Sequence, residues 1–447
     1  MSIHAERIRA CLFSRPLSAR QLAEIIGVSQ PTVSRALNEL GSEIVRFGAA
    51  RSIQYALRDT LRELPDIPIH RIDAAGRIRQ LGTLTPVRPE GFVMRQENGV
   101  TLHGDGLPWW LSDMRPQGYL GRAYAARHAA ELRLPERLTA WTDVHALRAL
   151  LAHGHDAVGN LLLGDTARDR FLADAAPEPI SEEQKATEYP RLALEAARGD
   201  APGSSAGGEQ PKFTCHAWMP SGTRHVLVKF SEREESPVSA RWRDLLLAEH
   251  FALETLREAG IPAAVSRIID HGGQRFLEIE RFDRIGERGR RALISLAALD
   301  AAFVGEGSAP WPVLTRRLVA GKQVRREAVQ GVDLLWAFGI LIANTDMHGG
   351  NLSFVSEHGR PYELAPAYDM TPMAFAPRVG GGLPDTVAAA AIHSVVPEDT
   401  WRRAEELALA FLARIDTADG FSARFGVCLD ALRQHLATTG AKIRRLG

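Results

Sequence analysis

The sequence is poor in the features that mark secreted, disulfide-bonded or membrane proteins. Its three cysteines, Cys11, Cys215 and Cys428, are far apart, which excludes a disulfide framework or a CxxC metal site within one chain and favours a reducing cytoplasm. No apolar run reaches the roughly 18 residues of a membrane span, and the N-terminus lacks the apolar core of a signal peptide. The 54 basic and 54 acidic residues cancel, so net charge neither supports nor excludes nucleic acid as a partner.

The composition is that of a soluble globular protein, with 45% hydrophobic and 24% charged residues in 447. This length suits two or three domains with a sizeable core. Helical and strand-like patterns are mixed throughout, so we predict an α+β fold. Residues 116–122 are turn-rich, a helical pattern runs over 124–132, and a long helix is predicted over about 241–259. We place the domains at residues 1–60, 65–180 and 181–447, with a polar linker near 174–183. No fixed-period repeat is visible, which argues against a solenoid.

The first segment has the pattern of a winged helix-turn-helix, with three helices followed by a strand–turn–strand. Ser18 is a helix N-cap, and Gly27 suits a left-handed turn between the second and third helices. Pro31 lies in the first turn of the third helix, where its missing N–H is harmless. A protein-interaction module is the alternative reading, but we favour double-stranded DNA as the partner.

The third helix predicts the DNA contacts of this segment. Its apolar residues fall on one face, which leaves polar side chains that can read base edges in the major groove. Arginines on the following hairpin would contact phosphates, and the segment is locally basic. The candidate DNA-binding residues are Gln30, Thr32, Ser34, Arg35, Asn38, Arg46 and Arg51.

The strongest chemical signal is the loop at 344–351, NTDMHGGN, which follows an apolar helical pattern. Asp346 precedes Asn351 by five positions, which is the spacing of a kinase catalytic loop. The carboxylate would accept a hydroxyl proton, and the neutral amide oxygen can hold Mg²⁺ without adding a competing base. Asp369 follows after a short hairpin, where kinases place a second metal-binding carboxylate.

Two upstream features fit the same chemistry. A loop of small residues at 204–211 precedes a strand, and its backbone N–H groups can cradle phosphates. The loop matches neither common phosphate-binding pattern, so alone it is a weak signal. Lys229 lies inside a β-branched strand, placed like the lysine that grips the α- and β-phosphates of ATP, and Glu249 on the next helix is a candidate partner.

The motifs, in their order along the chain, resemble those of the HipA family of toxin serine/threonine kinases. The matching segments are GGEQPK at 207–212, VLVKF at 226–230, ERFDR at 280–284, the catalytic loop and AYD at 367–369. The resemblance covers residues 72–436 and implies a bilobal kinase fold preceded by the family's N-terminal subdomain. The fused DNA-binding segment is similar to that of the YjjJ subgroup, whereas other members rely on a separate HipB antitoxin.

The resemblance also implies roles for individual residues. Asp346 would be the catalytic base, and Asn351 and Asp369 would hold Mg²⁺. The nucleotide would be bound by Gly207, Gly208, Glu209, Gln210, Lys212, Lys229, Glu280, Phe282 and His348, with Glu280 and Phe282 forming the hinge under adenine. Ser205 matches the serine that family members autophosphorylate to inactivate themselves. Gly350 replaces a lysine of many members, so one phosphate contact is expected to be missing.

We therefore predict an ATP- and Mg²⁺-dependent kinase that phosphorylates a Ser or Thr of a protein, such as a translation component, and arrests growth. A small-molecule kinase and an ATP-sensing transcriptional regulator stay open as alternatives. The expected partners are the substrate protein, DNA and, as an open question, a HipB-like antitoxin, with no membrane.

Overall fold

The N-terminal segment folds as the predicted winged helix-turn-helix. The computed structural model describes residues 1–174, 178–198 and 210–445 of the chain. Ser18 and Gln21 form a capping box at the second helix, and Gly27 ends it with φ 71°. The elements are α1 (Ile3–Ser14), α2 (Ala19–Ile26), α3 (Gln30–Leu40), β1 (Ile44–Phe47) and β2 (Gln54–Leu57).

The middle segment is built on an antiparallel sheet of five strands in the order β6-β5-β4-β3-β7. One face packs against α5 and a 3₁₀ helix at Trp109–Met114 through a cluster that includes Leu84, Phe92 and Leu147. The elements are β3 (Ile67–Ile72), β4 (Ile78–Val87), β5 (Gly91–Gln96), β6 (Thr101–Gly104), α4 (Gly118–His128), α5 (Asp143–His153), β7 (Leu161–Leu163) and α6 (Gly164–Ala173).

The β1–β2 hairpin packs on the opposite face of this sheet. Phe47 stacks on His103 with ring centroids 4.6 Å apart, and Val45 joins Val87 and Val93 in a buried cluster. The backbone N–H of Gly48 donates to Oγ1 of Thr101 at 2.8 Å. The winged helix is therefore docked on the middle segment.

One expectation about the middle segment was wrong. Residues 116–122 read as turns because of their glycines, but α4 already begins at Gly118. Gly121 serves close packing, since a Cβ there would lie 2.6 Å from the backbone carbon of Pro116. The helix expected at 124–132 is therefore the later part of α4, which ends at His128.

The third segment forms a small lobe and a large lobe. The small lobe is a four-stranded antiparallel sheet in the order β10-β11-β9-β8, with α7 and α8 packed on it. Helix α8 begins at Pro237, four residues before the predicted start, because Ser236 and Ser239 form a capping box there. The elements are α7 (Lys185–Arg198), β8 (Lys212–Met219), β9 (Gly222–Phe230), α8 (Pro237–Glu258), β10 (Ser266–His271) and β11 (Gln274–Glu280).

The large lobe is mainly helical, around a core that includes Phe338, Trp401 and Phe411. Its elements are β12 (Arg284–Ile285), β13 (Gly289–Arg290), β14 (Ala292–Ser295), α9 (Leu296–Phe303), α10 (Trp311–Ala320), α11 (Ala328–Leu341), β15 (Ser353–Ser356), β16 (Glu363–Leu364), α12 (Glu398–Thr417) and α13 (Gly426–Ile443). Among the described residues, no helix combines the length and hydropathy required to cross a membrane.

A buried ionic network joins the connection between the lobes to the middle segment. Asp283 accepts hydrogen bonds from Arg281 at 2.9 Å and Arg284 at 2.5 Å, and also from the backbone N–H of Gly159 at 3.2 Å. Arg284 in turn contacts Asp156 at 3.0 Å. Burial raises the pKa of Asp283, but the two arginines lower it well below its ordinary value.

We predict that Asp283→Asn lowers the melting temperature at pH 7, because it leaves buried arginine charge without its carboxylate. The pKa of Asp283 is lower in the folded than in the unfolded chain. Its stabilisation is therefore complete above the ordinary value of 3.8 and is lost as the pH falls through the folded-state pKa. The difference in melting temperature between variant and wild type should shrink below pH 3.8, as measured by scanning calorimetry.

The control for this prediction is Asp169→Asn, which removes an exposed carboxylate and should change the melting temperature little at any pH. A destabilisation by Asp283→Asn that is the same at pH 7 and in acid would contradict the assignment.

Candidate active site

A cleft of about 250 Å³ opens between the small-lobe sheet and the large lobe. It gathers side chains that lie far apart in the sequence and that belong to separate motifs. The predicted site residues that line it are Lys212, Lys229, Glu280, Phe282, His348, Asn351 and Asp369. The fold thus brings candidate phosphate, adenine and metal contacts to one cavity.

Lys229 is a buried cation that lines the cleft. It lies on β9 and is only 3% exposed. Its Nζ donates to both carboxylate oxygens of Glu249 on α8, at 2.7 and 2.8 Å, and to Oδ1 of Asp369. Burial lowers the pKa of Lys229, but Asp369 and Glu249 raise it above the ordinary value. The lysine is therefore held in its charged form.

The two carboxylates around Lys229 differ in their electrostatic setting. Burial raises the pKa of Asp369, yet Lys229 and then Lys212 lower it below the ordinary value. For Glu249, burial outweighs Lys229 and raises the pKa, and Thr371 donates to Oε2 at 2.8 Å. Lys229 and Lys212 therefore favour the ionised form of Asp369, and Glu249 positions Lys229 through two hydrogen bonds.

The catalytic-loop candidates lie beside one another. His348 and Asn351 line the cleft, whereas Asp346 is not among its lining residues. The amide nitrogen of Asn351 donates to the backbone oxygen of Asp346 at 2.8 Å, and it lies 3.4 Å from the carboxylate. His348 Nε2 is 3.8 Å from Asp346 Oδ1, while Nδ1 accepts from the backbone N–H of Gly350 at 3.0 Å. The Asp346 side chain is 51% exposed, so an incoming hydroxyl can reach it from solution.

Asn344 is a positioning residue whose role the sequence did not single out. Its Oδ1 accepts from the backbone N–H of Asp346 at 3.0 Å, and its Nδ2 donates to the backbone oxygen of Asp369 at 3.1 Å. Asp369 has φ 53°, a left-handed conformation that non-glycine residues seldom adopt. The buried Asn344 thus ties the two acidic segments together. Its place two residues before Asp346 in the motif was the available signal.

The middle segment also contributes to the cleft, which the sequence did not predict. Asp113, Gln117 and Val158 line it together with the hinge. Asp113 accepts from the backbone N–H and the hydroxyl of Ser295, both at 2.7 Å, and burial raises its pKa. This carboxylate therefore fixes the middle segment against β14.

Some of the predicted site residues cannot be placed in the cleft. The candidate phosphosite Ser205 and the candidate nucleotide-binding residues Gly207, Gly208 and Glu209 lie outside the described residues. Gln210 is described and half-buried, but it is not among the residues that line the cleft. Their roles stay predictions of the sequence.

The candidate DNA-binding residues form an open surface on α3 and β1. Gln30, Ser34, Arg35, Asn38 and Arg46 are exposed. Thr32 is half-buried, and its hydroxyl lies 3.0 Å from that of Ser29. Arg51 belongs to a 3₁₀ turn between the strands, but its side chain is outside the description. The opposite face of α3, with Val33, Ala36, Leu37 and Leu40, is buried as predicted.

Comparisons with known proteins agree with this arrangement. The family described as "YjjJ-like toxin, middle domain" matches residues 63–172, and the "HipA-like C-terminal domain" matches residues 204–427. Toxin YjjJ of Escherichia coli (strain K12) is 37% identical over 438 residues, which cover 98% of each chain. The chain belongs to the YjjJ-like toxins of the HipA family.

Two solved structures resemble this YjjJ-like chain more remotely. One is the toxin–antitoxin complex of HipA and HipB with operator DNA from Shewanella oneidensis MR-1. It aligns with 85% of this chain and 97% of the other at 15% identity and a TM-score of 0.47. The other is the proinflammatory kinase CtkA of Helicobacter pylori, which aligns with 53% of this chain and 92% of the other at 10% identity and a TM-score of 0.36.

We predict that Lys229→Met lowers the free energy of unfolding by about 3 kcal/mol or more, because it leaves the buried Glu249 and the half-buried Asp369 without their cation. The measurement is chemical denaturation followed by circular dichroism. The double variant Lys229→Met/Glu249→Gln also replaces one acidic partner of Lys229 with a neutral amide. It should therefore recover part of the lost free energy of unfolding. A double variant that is less stable than the single one would contradict this account.

Proposed function

We propose that this YjjJ-like protein transfers the γ-phosphoryl group of ATP to the hydroxyl of a Ser or Thr in another protein. The observation that carries the proposal is the set of contacts around Lys229, which pairs with Glu249 and Asp369 in a cleft that Asn351 also lines. Kinases use this combination of a paired lysine, an acidic residue and an amide to hold ATP.

Each group has a distinct task in the proposed transfer. Lys229 binds the α- and β-phosphates. Asp346 orients the substrate hydroxyl and accepts its proton as the hydroxyl oxygen bonds to the γ-phosphorus. The bond between the γ-phosphorus and the bridging oxygen breaks, and ADP leaves. Asp346 is exposed and contacts Asn351 of the cleft, which fits a substrate as large as a protein.

The donor set of the cleft fits Mg²⁺, which prefers carboxylate and amide oxygens. Asp369 offers an ionised carboxylate, and Asn351 uses its amide nitrogen on Asp346, which leaves its oxygen for a ligand. These two residues would hold the ion. The chemistry that Mg²⁺ supplies at such a site is neutralisation of charge on phosphate oxygens.

The adenine end of the cleft is more apolar. Leu227, Ile279 and Leu293 line it with Phe282, whose ring centroid lies 5.8 Å from that of Tyr368. Glu280 follows Ile279 at the end of β11 and pairs with Arg224 at 3.0 Å. This wall suits a planar base, with the hinge backbone beside it.

Kinase activity would make the protein a toxin by phosphorylating a component that growth requires, such as a translation component. The phosphate loop around Gly207 and the inactivating phosphorylation of Ser205 belong to this proposal on sequence grounds alone. A HipB-like antitoxin likewise stays a prediction of the sequence.

We predict that Asp346→Ala lowers protein phosphorylation by about 100-fold or more, since it removes the proposed base, and that it abolishes growth arrest on expression. The measurement is incubation of purified protein with γ-labelled ATP and a cell lysate, beside growth curves. Asp419→Asn, an exposed aspartate away from the cleft, should leave both unchanged. A labelled metabolite without a labelled protein band would instead indicate a small-molecule kinase, and full activity in Asp346→Ala would refute the mechanism.

We also propose that α3 and β1 bind double-stranded DNA, because the exposed polar face of α3 has side chains that can pair with base edges. Arg35→Ala or Asn38→Ala should each weaken binding to DNA from upstream of the protein's own gene by about 1–3 kcal/mol. The measurement is fluorescence anisotropy with the full chain. Arg7→Ala removes an exposed arginine of α1 and is the matched control. Equal losses in all three variants would contradict base reading by α3.

A further inference from the structure

A second and larger cavity lies between the middle sheet and the large lobe. Its volume is about 780 Å³, which is within the range of small-molecule sites. One wall is the face of the sheet that carries Arg71, Arg79 and Met94, and the other includes residues 321–323 and 358–360. We call this cavity the basic groove.

The cations of the basic groove lack the carboxylates that neighbouring cations have. Arg71, Arg79, Lys322 and Arg360 line the groove, and none of them forms an ion pair with any carboxylate in the part of the chain that the structure describes. By contrast, Arg77 pairs with Asp73 at 2.8 Å on the same hairpin, and Arg325 pairs with Glu363 at 3.1 Å beside the other wall. The groove thus collects four cations without a carboxylate partner among the described residues, although two arginines close by have one.

The position of Arg71 is a second observation that favours an anion-binding site. Arg71 and Arg79 lie directly opposite each other on β3 and β4, a placement that costs free energy for like charges. The Nε of Arg71 is buried without a hydrogen-bond acceptor. An anion with several oxygens would accept a hydrogen bond from Arg71 Nε and would offset the repulsion between Arg71 and Arg79.

The remaining lining residues indicate which anion would fit. Two carboxylates line the groove, Glu97 and Asp113, and Asp113 already accepts two hydrogen bonds from Ser295. Trp109 and Trp110, both half-buried, supply flat apolar surface beside the cations. Aromatic rings next to arginines suit a ligand with a planar base and phosphate groups.

We propose that the basic groove binds a nucleoside di- or polyphosphate at a site separate from the ATP cleft. The phosphate groups contact Arg71 and Arg79 from one wall and Lys322 and Arg360 from the other, and the base lies toward the tryptophans. The groove and the cleft share Asp113, Val158 and Leu293 as lining residues, so a bound ligand would lie against the back of the cleft.

The test is isothermal titration calorimetry on the full chain with Mg²⁺. A non-hydrolysable ATP analogue is titrated first to count its sites, and GTP is then titrated into the analogue-saturated protein. We expect either two analogue sites or a further GTP site. The groove site should weaken about tenfold or more in Arg71→Gln/Arg79→Gln, which removes two charged donors, while the cleft site is unchanged.

The other wall provides a second variant, Lys322→Gln/Arg360→Gln, with the same expected loss and no change to the sheet. The matched controls are Arg77→Gln and Arg325→Gln, which remove neighbouring paired arginines and should leave binding intact. A single nucleotide site in both titrations would overturn the proposal. Equal losses in the controls would also overturn it, as would a groove that binds only single-stranded nucleic acid.

Discussion

The arrangement of the cleft depends on the ion pairs that the buried ammonium group of Lys229 forms. Its two carboxylate partners come from different parts of the fold, since Glu249 belongs to the small lobe and Asp369 follows the last strand of the large lobe. Charges in such a setting are tolerated only when they are paired. The same contacts therefore fix the Lys229 side chain in the cleft and link the small lobe to the large lobe.

Local patterns in the sequence predicted much of the fold and several of the residues that line the cleft. The capping serine at Ser18, the left-handed Gly27 and the buried face of α3 follow from rules that act over a few residues. The spacing of Asp346 and Asn351 is also local, so the residues of that loop could be identified without a topology. Where glycines serve close packing, as Gly121 does in α4, the same rules predicted turns in place of helix.

Contacts between distant segments could not be predicted in this way. Asp113 meets Ser295 across 182 positions of the chain, and Asp283 meets Gly159 across 124. Asp113 stands in no motif that the sequence singled out, and Asp283 lies in the ERFDR segment at 280–284 without a role assigned to it. Each acquires its role only when the middle segment packs against the large lobe. Asn344 differs, because it lies inside the motif, and its contact with Asp369 depends on how the two loops fold back.

The network around Asp283 has a consequence for the order in which the protein forms. The middle segment, which supplies Gly159 and Asp156, leaves the ribosome before the hinge residues Arg281 and Arg284 are made. The carboxylate of Asp156 and the carbonyl groups that accept from these guanidinium groups are thus synthesised before the arginines that contact them. The hinge end of the cleft therefore takes part of its shape from a region of the chain that precedes the HipA-like portion.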